Sequence, residues 1–106
     1  MSNFTVTNII DGDTFDVTPT WRWEGQSGQR VRPTGYNAPE INTYGGERTK
    51  EKLRELINGK AVELRTAYKI DRGRLVCDVF YQGKNLAEYF LVKIFLYHKI
   101  FAHLLH

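Results

Sequence analysis

The amino-acid sequence predicts one small α+β domain, mainly β with helices. The chain has 106 residues, of which 42% are hydrophobic and 25% charged, so it is globular in composition and too short for two independent cores. Its hydrophobic patterns follow the order strand, strand, strand, helix, strand, strand, helix. Five short strands with a helix between the third and the fourth are typical of the OB-fold, a partly open Greek-key barrel. We therefore expect a single OB-fold domain over residues 1–106, with residues 87–106 as a C-terminal helix.

The first two strands are predicted as a hairpin. Phe4, Val6 and Ile10 alternate with other side chains until the turn at residues 11–13, and the alternation resumes at Phe15. A polar connection is expected from residue 18 to residue 28.

The third strand is predicted over residues 29–36. Pro33 has no N–H to donate to a ladder, so we expect it at a sheet edge or at a bend.

The helix between strands is predicted over residues 47–58, because Leu53, Leu56 and Ile57 share one face and Asn58-Gly59 is a good helix stop. Period-2 alternation predicts the fourth and fifth strands. The inward positions of these two strands are expected to be Val62, Leu64, Thr66, Tyr68, Leu75, Cys77, Val79 and Tyr81.

The C-terminal segment is predicted to be a helix with Asn85 as its N-cap. From Tyr89 to Leu105 it is apolar on nearly every face, yet lysines and histidines interrupt it, so we expect no membrane span. Two interpretations stay open: a core helix docked on the barrel, or an exposed face that forms a homodimer.

The distribution of charge is uneven. The net charge is +3, while residues 1–29 carry four carboxylates and one arginine, so an acidic region lies within a basic chain. A cation site beside a phosphate site would have this charge pattern, and so would a chance excess. The single cysteine, Cys77, excludes an internal disulfide and a cysteine-rich zinc site, and we expect it to be buried and inert. The first residues do not form a signal peptide, so we expect a cytoplasmic protein or one exported with its leader removed.

Three motifs carry residues suited to chemistry. The turn at residues 11–15 has two aspartates, which a hairpin turn explains only in part, because a second carboxylate is favoured by a nearby cation such as Ca²⁺. Residues 30–40 combine two arginines on one strand face with Asn37 and Glu40 after a rigid turn. Residues 71–74 form a tight turn that presents Arg74. Each motif alone is also compatible with an ordinary surface turn.

Taken together, these motifs resemble the staphylococcal nuclease (thermonuclease) family. The resemblance extends from about Val6 to about Leu86. It rests on DGDTF at residues 11–15, the segment from residue 32 to residue 40 with its Ala-Pro-Glu ending, YGGE at residues 44–47 and the turn at residues 71–74.

The resemblance implies a fold and a set of roles. It implies an OB barrel and a Ca²⁺-dependent endonuclease that cleaves DNA and RNA, preferably single-stranded, by attack of water at phosphorus. Arg32 and Arg74 match the arginines that contact the phosphate, and Glu40 matches the general base. The metal ligands are matched by Asp13, Asn37 and Ala38, the last through its backbone carbonyl.

The sequence departs from the family pattern at Asn37, where the family usually has an aspartate. One negative charge is lost and a carbonyl oxygen is kept, so we expect one Ca²⁺ ion to bind weakly. An alternative function therefore stays open: a catalytically weakened or inactive OB-fold module that binds nucleic acid or a protein partner.

The segment Trp21-Arg22-Trp23 places two indoles on one side of the chain. It is compatible with a hydrophobic cover on the barrel, which we favour, or with a stacking platform for unpaired bases.

Overall fold

The structure is a computed structural model that describes residues 3–40 and 42–90. Within these residues the chain forms a closed, mixed β-barrel with one helix after the third strand and a second helix starting at residue 86, so the predicted α+β OB-fold architecture is confirmed. The elements are β1 (Asn3–Asp11), β2 (Thr14–Trp23), β3 (Gln26–Pro33), α1 (Tyr44–Ile57), β4 (Ala61–Asp71), β5 (Arg74–Tyr81) and the short β6 (Lys84–Asn85).

The barrel closes through one parallel pairing. The hydrogen-bonded strand order is β3-β2-β1-β4-β5-β6, and β3 also pairs with β5. In that pairing Val31 lies opposite Leu75 and Pro33 opposite Cys77. Pro33 is the last residue of a strand that is paired on both sides, so the edge position is wrong. The alternative of a bend agrees with the structure, because the chain bends at residues 34 and 35. The missing N–H of Pro33 is tolerated because the ladder ends there.

The first hairpin has the predicted turn but a shifted register. β1 and β2 meet around residues 12–13, as expected. An irregularity in the pairing between Val6 and Asn8 changes the side-chain alternation, so that Ile9 is buried and Ile10 only half-buried. Ile9, and not Ile10, therefore continues the buried positions of Phe4 and Val6, and the predicted grouping of Ile10 with them is wrong.

The second strand is longer than the sequence indicates. β2 continues to Trp23, and β3 begins at Gln26, so the expected connection shrinks to a turn of two residues. Both residues of that turn, Glu24 and Gly25, have positive φ, at 51° and 76°, which suits the tight hairpin.

Helix α1 begins earlier than predicted, at Tyr44. The Thr43 side chain caps it by accepting a hydrogen bond from the Gly46 N–H at 3.0 Å. Leu53 and Ile57 on the predicted apolar face are buried, and the helix stops at Asn58 as expected.

Two irregularities in β4 change the direction of its later side chains. The pairing of β4 with β5 shifts between Leu64 and Ala67 and again between Ala67 and Lys69. As a result Thr66 and Tyr68 are exposed, and the prediction that they point into the barrel is wrong. Simple alternation holds only up to Leu64.

The core fills the barrel and the space beneath α1. Cys77 belongs to this core, as predicted, and its burial raises the pKa of the thiol to about 12. The fully buried side chains of greatest volume are those of Trp21, Phe15, Leu53, Ile57, Leu64, Leu75 and Leu86.

The last described residues start the second helix. The Asn85 side chain accepts a hydrogen bond from the Ala87 N–H at 2.9 Å, which agrees with its predicted capping role, and residues 86–90 are helical. The remainder of the predicted C-terminal helix, and with it the homodimer interpretation, lies outside the described residues. Within residues 3–40 and 42–90, no helix has the length and hydropathy needed to cross a membrane.

We expect Leu75→Ala to lower the free energy of unfolding by about 2–5 kcal/mol, because Leu75 is fully buried at the β3–β5 closure and its loss leaves a cavity. Chemical denaturation measures this change. Thr66→Ala, at an exposed position of β4, is the control and should change the free energy by less than about 0.5 kcal/mol. Equal effects of the two substitutions would contradict the closure described here.

Candidate functional site

Barrel closure brings two predicted arginines to one pocket. Arg32 lies opposite Val76 in the β3–β5 pairing, and Arg74 begins β5. The pocket between them has a volume of about 580 Å³. It is lined by Arg32, Pro33, Thr34, Gly35, Tyr36, Asn37, Lys69, Asp71, Arg74 and Val76. Three cationic side chains and one carboxylate give this pocket an excess of positive charge.

Arg32 is held by the loop that follows it. Its Nη1 donates hydrogen bonds to the carbonyl oxygens of Pro33 and Tyr36, the latter at 3.0 Å. Its Nη2 donates to Asn37 Oδ1 and lies 3.4 Å from Asp13 Oδ2. Four oxygen atoms therefore surround the two terminal nitrogens, and the planar guanidinium fixes the course of the loop.

Asp13 connects the first hairpin to that loop. Its Oδ2 accepts a hydrogen bond from the Ala38 N–H at 3.0 Å and pairs with Arg32, while its own N–H donates to Asp11 Oδ1 at 3.0 Å. Burial raises the pKa of Asp11, and the neighbouring Asp13 carboxylate raises it further. The two aspartates of the turn thus differ: Asp13 faces the loop, and Asp11 supports the turn.

A close approach of the turn to the loop requires a glycine at position 12. A Cβ atom there would lie 2.7 Å from Ala38 Cβ and 2.7 Å from Thr49 Cγ2. The Tyr36 hydroxyl donates to the Gly12 carbonyl at 2.9 Å, and the Tyr36 ring stacks on Phe90 with centroids 4.3 Å apart. Burial raises the pKa of Tyr36, and the charge of Asp13 adds to this, so the hydroxyl stays protonated and acts as a fixed donor.

The predicted metal ligands are brought together. Asp13 Oδ2 and Asn37 Oδ1 both lie against Arg32 Nη2, so the two oxygens converge on one point. Ala38 is next to them, but the group that contacts Asp13 is its N–H and not the backbone carbonyl that the sequence predicted as a ligand.

The chemistry of these donors fits a hard cation, because Ca²⁺ prefers carboxylate and carbonyl oxygens. A Ca²⁺ ion and the Arg32 Nη2 group would compete for the same two oxygens. In the described part of the chain, no group of three or more His, Cys, Asp or Glu residues could hold a metal ion. A site built on Asp13 and Asn37 therefore depends on a single carboxylate.

Arg74 forms the other side of the pocket. Its Nη2 pairs with Asp71 Oδ2 at 2.7 Å, and its Nη1 donates to Thr14 Oγ1 at 3.2 Å. The Arg74 guanidinium lowers the pKa of Asp71 by hydrogen bonding, which keeps this carboxylate ionised. Because Asp71 is partly exposed, the pair is a surface ion pair that costs little to open.

Glu40 does not lie among the residues that line the pocket. It is exposed, and its backbone carbonyl accepts hydrogen bonds from the Thr43 N–H at 3.0 Å and the Thr43 hydroxyl at 2.6 Å. These bonds place Glu40 at the start of the cap of α1. The structure thus gathers five predicted site residues around the pocket or its adjoining loop and leaves the sixth outside. The five are Asp13, Arg32, Asn37, Ala38 and Arg74.

Four polar residues that line the pocket were not among the predicted site residues: Thr34, Tyr36, Lys69 and Asp71. Thr34 follows β3, and its hydroxyl donates to Asp78 Oδ1 on β5. Lys69 reaches the pocket after the second irregularity of β4, and alternation alone does not reveal that change of direction.

The two tryptophans do not form a paired platform for bases. Trp21 is only 2% exposed, and its Nε1 donates to the Arg30 carbonyl at 2.9 Å. Trp23 is half-buried and packs against the core. The favoured interpretation of a hydrophobic cover therefore agrees with the structure.

No family matches the chain in a scan against protein-family models, and a search of curated proteins finds no match.

We expect Arg32→Lys to lower the free energy of unfolding by about 1–3 kcal/mol, because one ammonium group cannot reach all four oxygens that the guanidinium contacts. The control is Arg54→Lys on α1, where an exposed ion pair with Glu51 is replaced by a similar one. Urea denaturation of both variants tests this expectation. Equal stability of the two variants would show that Arg32 does not organise the loop.

Proposed function

We propose that this protein is an endonuclease of the thermonuclease type, which hydrolyses phosphodiester bonds of DNA and RNA. The observation that carries the proposal is the pocket in which Arg32 of β3 and Arg74 of β5 face the same space. Two arginines that converge on one cavity are suited to an anionic group with several oxygens, and a phosphodiester is such a group.

The charge of the pocket suits the transition state of hydrolysis. Attack at phosphorus places more negative charge on the phosphate oxygens than the ground state has, so fixed cations stabilise the transition state preferentially. Arg74 can exchange its exposed partner Asp71 for a phosphate oxygen at little cost. Lys69 adds positive charge at the same pocket without the fork geometry of arginine.

Asp13 and Asn37 would hold a Ca²⁺ ion through their side-chain oxygens, with the Ala38 carbonyl as a further ligand. When bound, the ion supplies concentrated positive charge beside the phosphate. Arg32 Nη2 now contacts these two oxygens, and if the ion took them this nitrogen would be available as a donor to the phosphate. The Nη1 bonds to Pro33 and Tyr36 keep the guanidinium in the pocket.

The proposed reaction uses water as the nucleophile. The water oxygen forms a bond to phosphorus, the bond from phosphorus to the 5′ oxygen breaks, and a 3′-phosphate and a 5′-hydroxyl result. Glu40 accepts the proton of the water, and solvent protonates the leaving oxygen. The role of Glu40 rests on the family resemblance, because its carboxylate is exposed and outside the set of pocket-lining residues.

We expect the protein to cleave single-stranded DNA in the presence of Ca²⁺ and to lose activity in chelator. Arg74→Ala and Arg32→Ala should each lower kcat/KM by at least about a hundredfold, because each removes a donor to the developing charge. Glu40→Gln should lower kcat through loss of the base. Cleavage of plasmid and single-stranded substrates measures these effects.

The matched control for Arg74→Ala is Arg72→Ala, since Arg72 lies in the same turn, is exposed and is outside the pocket lining. Arg72→Ala should retain nearly full activity. Equal residual activity in the wild type and in the Arg32, Glu40 and Arg74 variants would point to a contaminating nuclease and would overturn the proposal.

A second candidate function is an OB-fold module that binds nucleic acid or a protein partner without catalysis. The observation that favours it is the engagement of Arg32, whose two terminal nitrogens already contact four oxygen atoms of the chain. This second candidate is also favoured by Asn37, which stands in place of a carboxylate, and by the position of Glu40 outside the pocket lining.

Calorimetry distinguishes the two candidates. For the endonuclease we expect a heat of Ca²⁺ binding with a Kd of about 0.1–1 mM, because the site has one carboxylate. Asp13→Ala should abolish this heat, and Glu55→Gln, an exposed carboxylate of α1, should not change it. Binding of an oligonucleotide with no heat from Ca²⁺, alone or with a nucleotide present, would favour the second candidate.

A further inference from the structure

Tyr68 is a large aromatic side chain that the fold leaves in solvent. Among the described residues, two large hydrophobic side chains are mostly exposed, Tyr44 at 77% and Tyr68 at 55%. Tyr44 lies at the start of α1, where its hydroxyl accepts a hydrogen bond from Arg48 at 2.9 Å. Tyr68 lies on β4, directly before the pocket-lining Lys69.

The irregular pairing of β4 is what exposes Tyr68. The pairing shifts between Leu64 and Ala67 and again between Ala67 and Lys69, so the irregularities lie on both sides of Ala67. Regular alternation from Leu64 would direct Tyr68 into the barrel. Bulges of this kind redirect side chains and are frequent beside functional sites.

The Tyr68 hydroxyl is tied to the rim of the pocket. It donates to Asp78 Oδ2 at 2.9 Å, and Asp78 Oδ1 accepts from the hydroxyl of Thr34, which lines the pocket. One carboxylate thus bridges Tyr68 to a pocket residue. A ring held at its hydroxyl loses less conformational freedom when a ligand stacks on it, so the side chain is preorganised.

We propose that Tyr68 is a stacking platform for one unpaired nucleobase of a strand whose phosphodiester occupies the pocket of Arg32, Lys69 and Arg74. This inference rests on the proposed function, since it assumes a nucleic-acid ligand at that pocket. Flat aromatic surface beside an excess of positive charge is the combination that binds single-stranded nucleic acid. Paired bases stack on their own neighbours, so the platform selects a single strand over a duplex.

The experiment compares two labelled oligonucleotides of the same length, one single-stranded with all its bases and one abasic throughout. Fluorescence anisotropy in chelator measures binding without cleavage. Tyr68→Ala should weaken binding of the base-containing strand about tenfold and leave binding of the abasic strand unchanged, as expected for loss of one stacked base. Tyr68→Phe should retain most of the affinity because it keeps the ring.

Tyr44→Ala is the matched control, because it removes the other exposed tyrosine, which is not tied to the pocket, and it should change neither affinity. Thermal unfolding of each variant shows whether it is folded. An equal loss for both oligonucleotides, or no loss at all while Arg74→Ala weakens binding, would overturn the role of Tyr68 and leave the proposed function intact. Failure of the wild type to bind either strand, both in chelator and after addition of Ca²⁺, would overturn the proposed function itself.

Discussion

The parallel pairing of β3 with β5 is the constraint on which the rest of the molecule depends. These strands are distant in the chain and become neighbours only when the barrel closes. Closure buries Val31 and Leu75 against each other and, in the same step, places Arg32 and Arg74 at one pocket. Parallel pairs require a long crossover, and the segment containing α1 and β4 provides it. The strand pairing that buries these apolar side chains therefore also assembles the candidate site.

Arg32 links this framework to the loop that carries most of the predicted ligands. Its guanidinium contacts two backbone carbonyls, one carboxamide and one carboxylate. Such a side chain is partly buried and would be costly to leave without acceptors, so the loop folds around it. The same convergence of oxygens that satisfies a guanidinium also suits a hard cation. In the proposed function, the structural role of Arg32 and the binding of a cation would thus compete for the same oxygens, and Asn37 would weaken cation binding because it carries no charge.

The fold could be predicted from the sequence because its signals are local. Turn residues at 11–13 and 71–74, the apolar stripe of α1 and the alternation of Leu75 to Tyr81 each specify an element within a few residues. Ile9, Thr66 and Tyr68 were misplaced because bulges shift register, and a bulge depends on the partner strand, which is not visible in a single segment. The grouping of Asp13, Arg32 and Asn37 agrees with what the motifs implied, whereas the internal hydrogen bonds of Arg32 depend on tertiary closure and could not be predicted.

The β4–β5 hairpin forms one side of the pocket, and the Arg32 network forms the other. The two sides differ in how their charged groups are held. Asp13 and Arg32 form a tight network in which each group already has a partner within the protein. Arg74 on the hairpin is held on one side by the hydroxyl of the buried Thr14 and on the other by an exposed ion pair with Asp71, and Lys69 is exposed. The ion pair with Asp71 is the contact of Arg74 that costs least to open toward a ligand. In the proposed function, initial capture of an anion would therefore fall to the hairpin, which also carries Tyr68. Because a stacked base and a captured phosphate would then belong to the same structural unit, β4 and β5 would orient a strand before the Arg32 network opens.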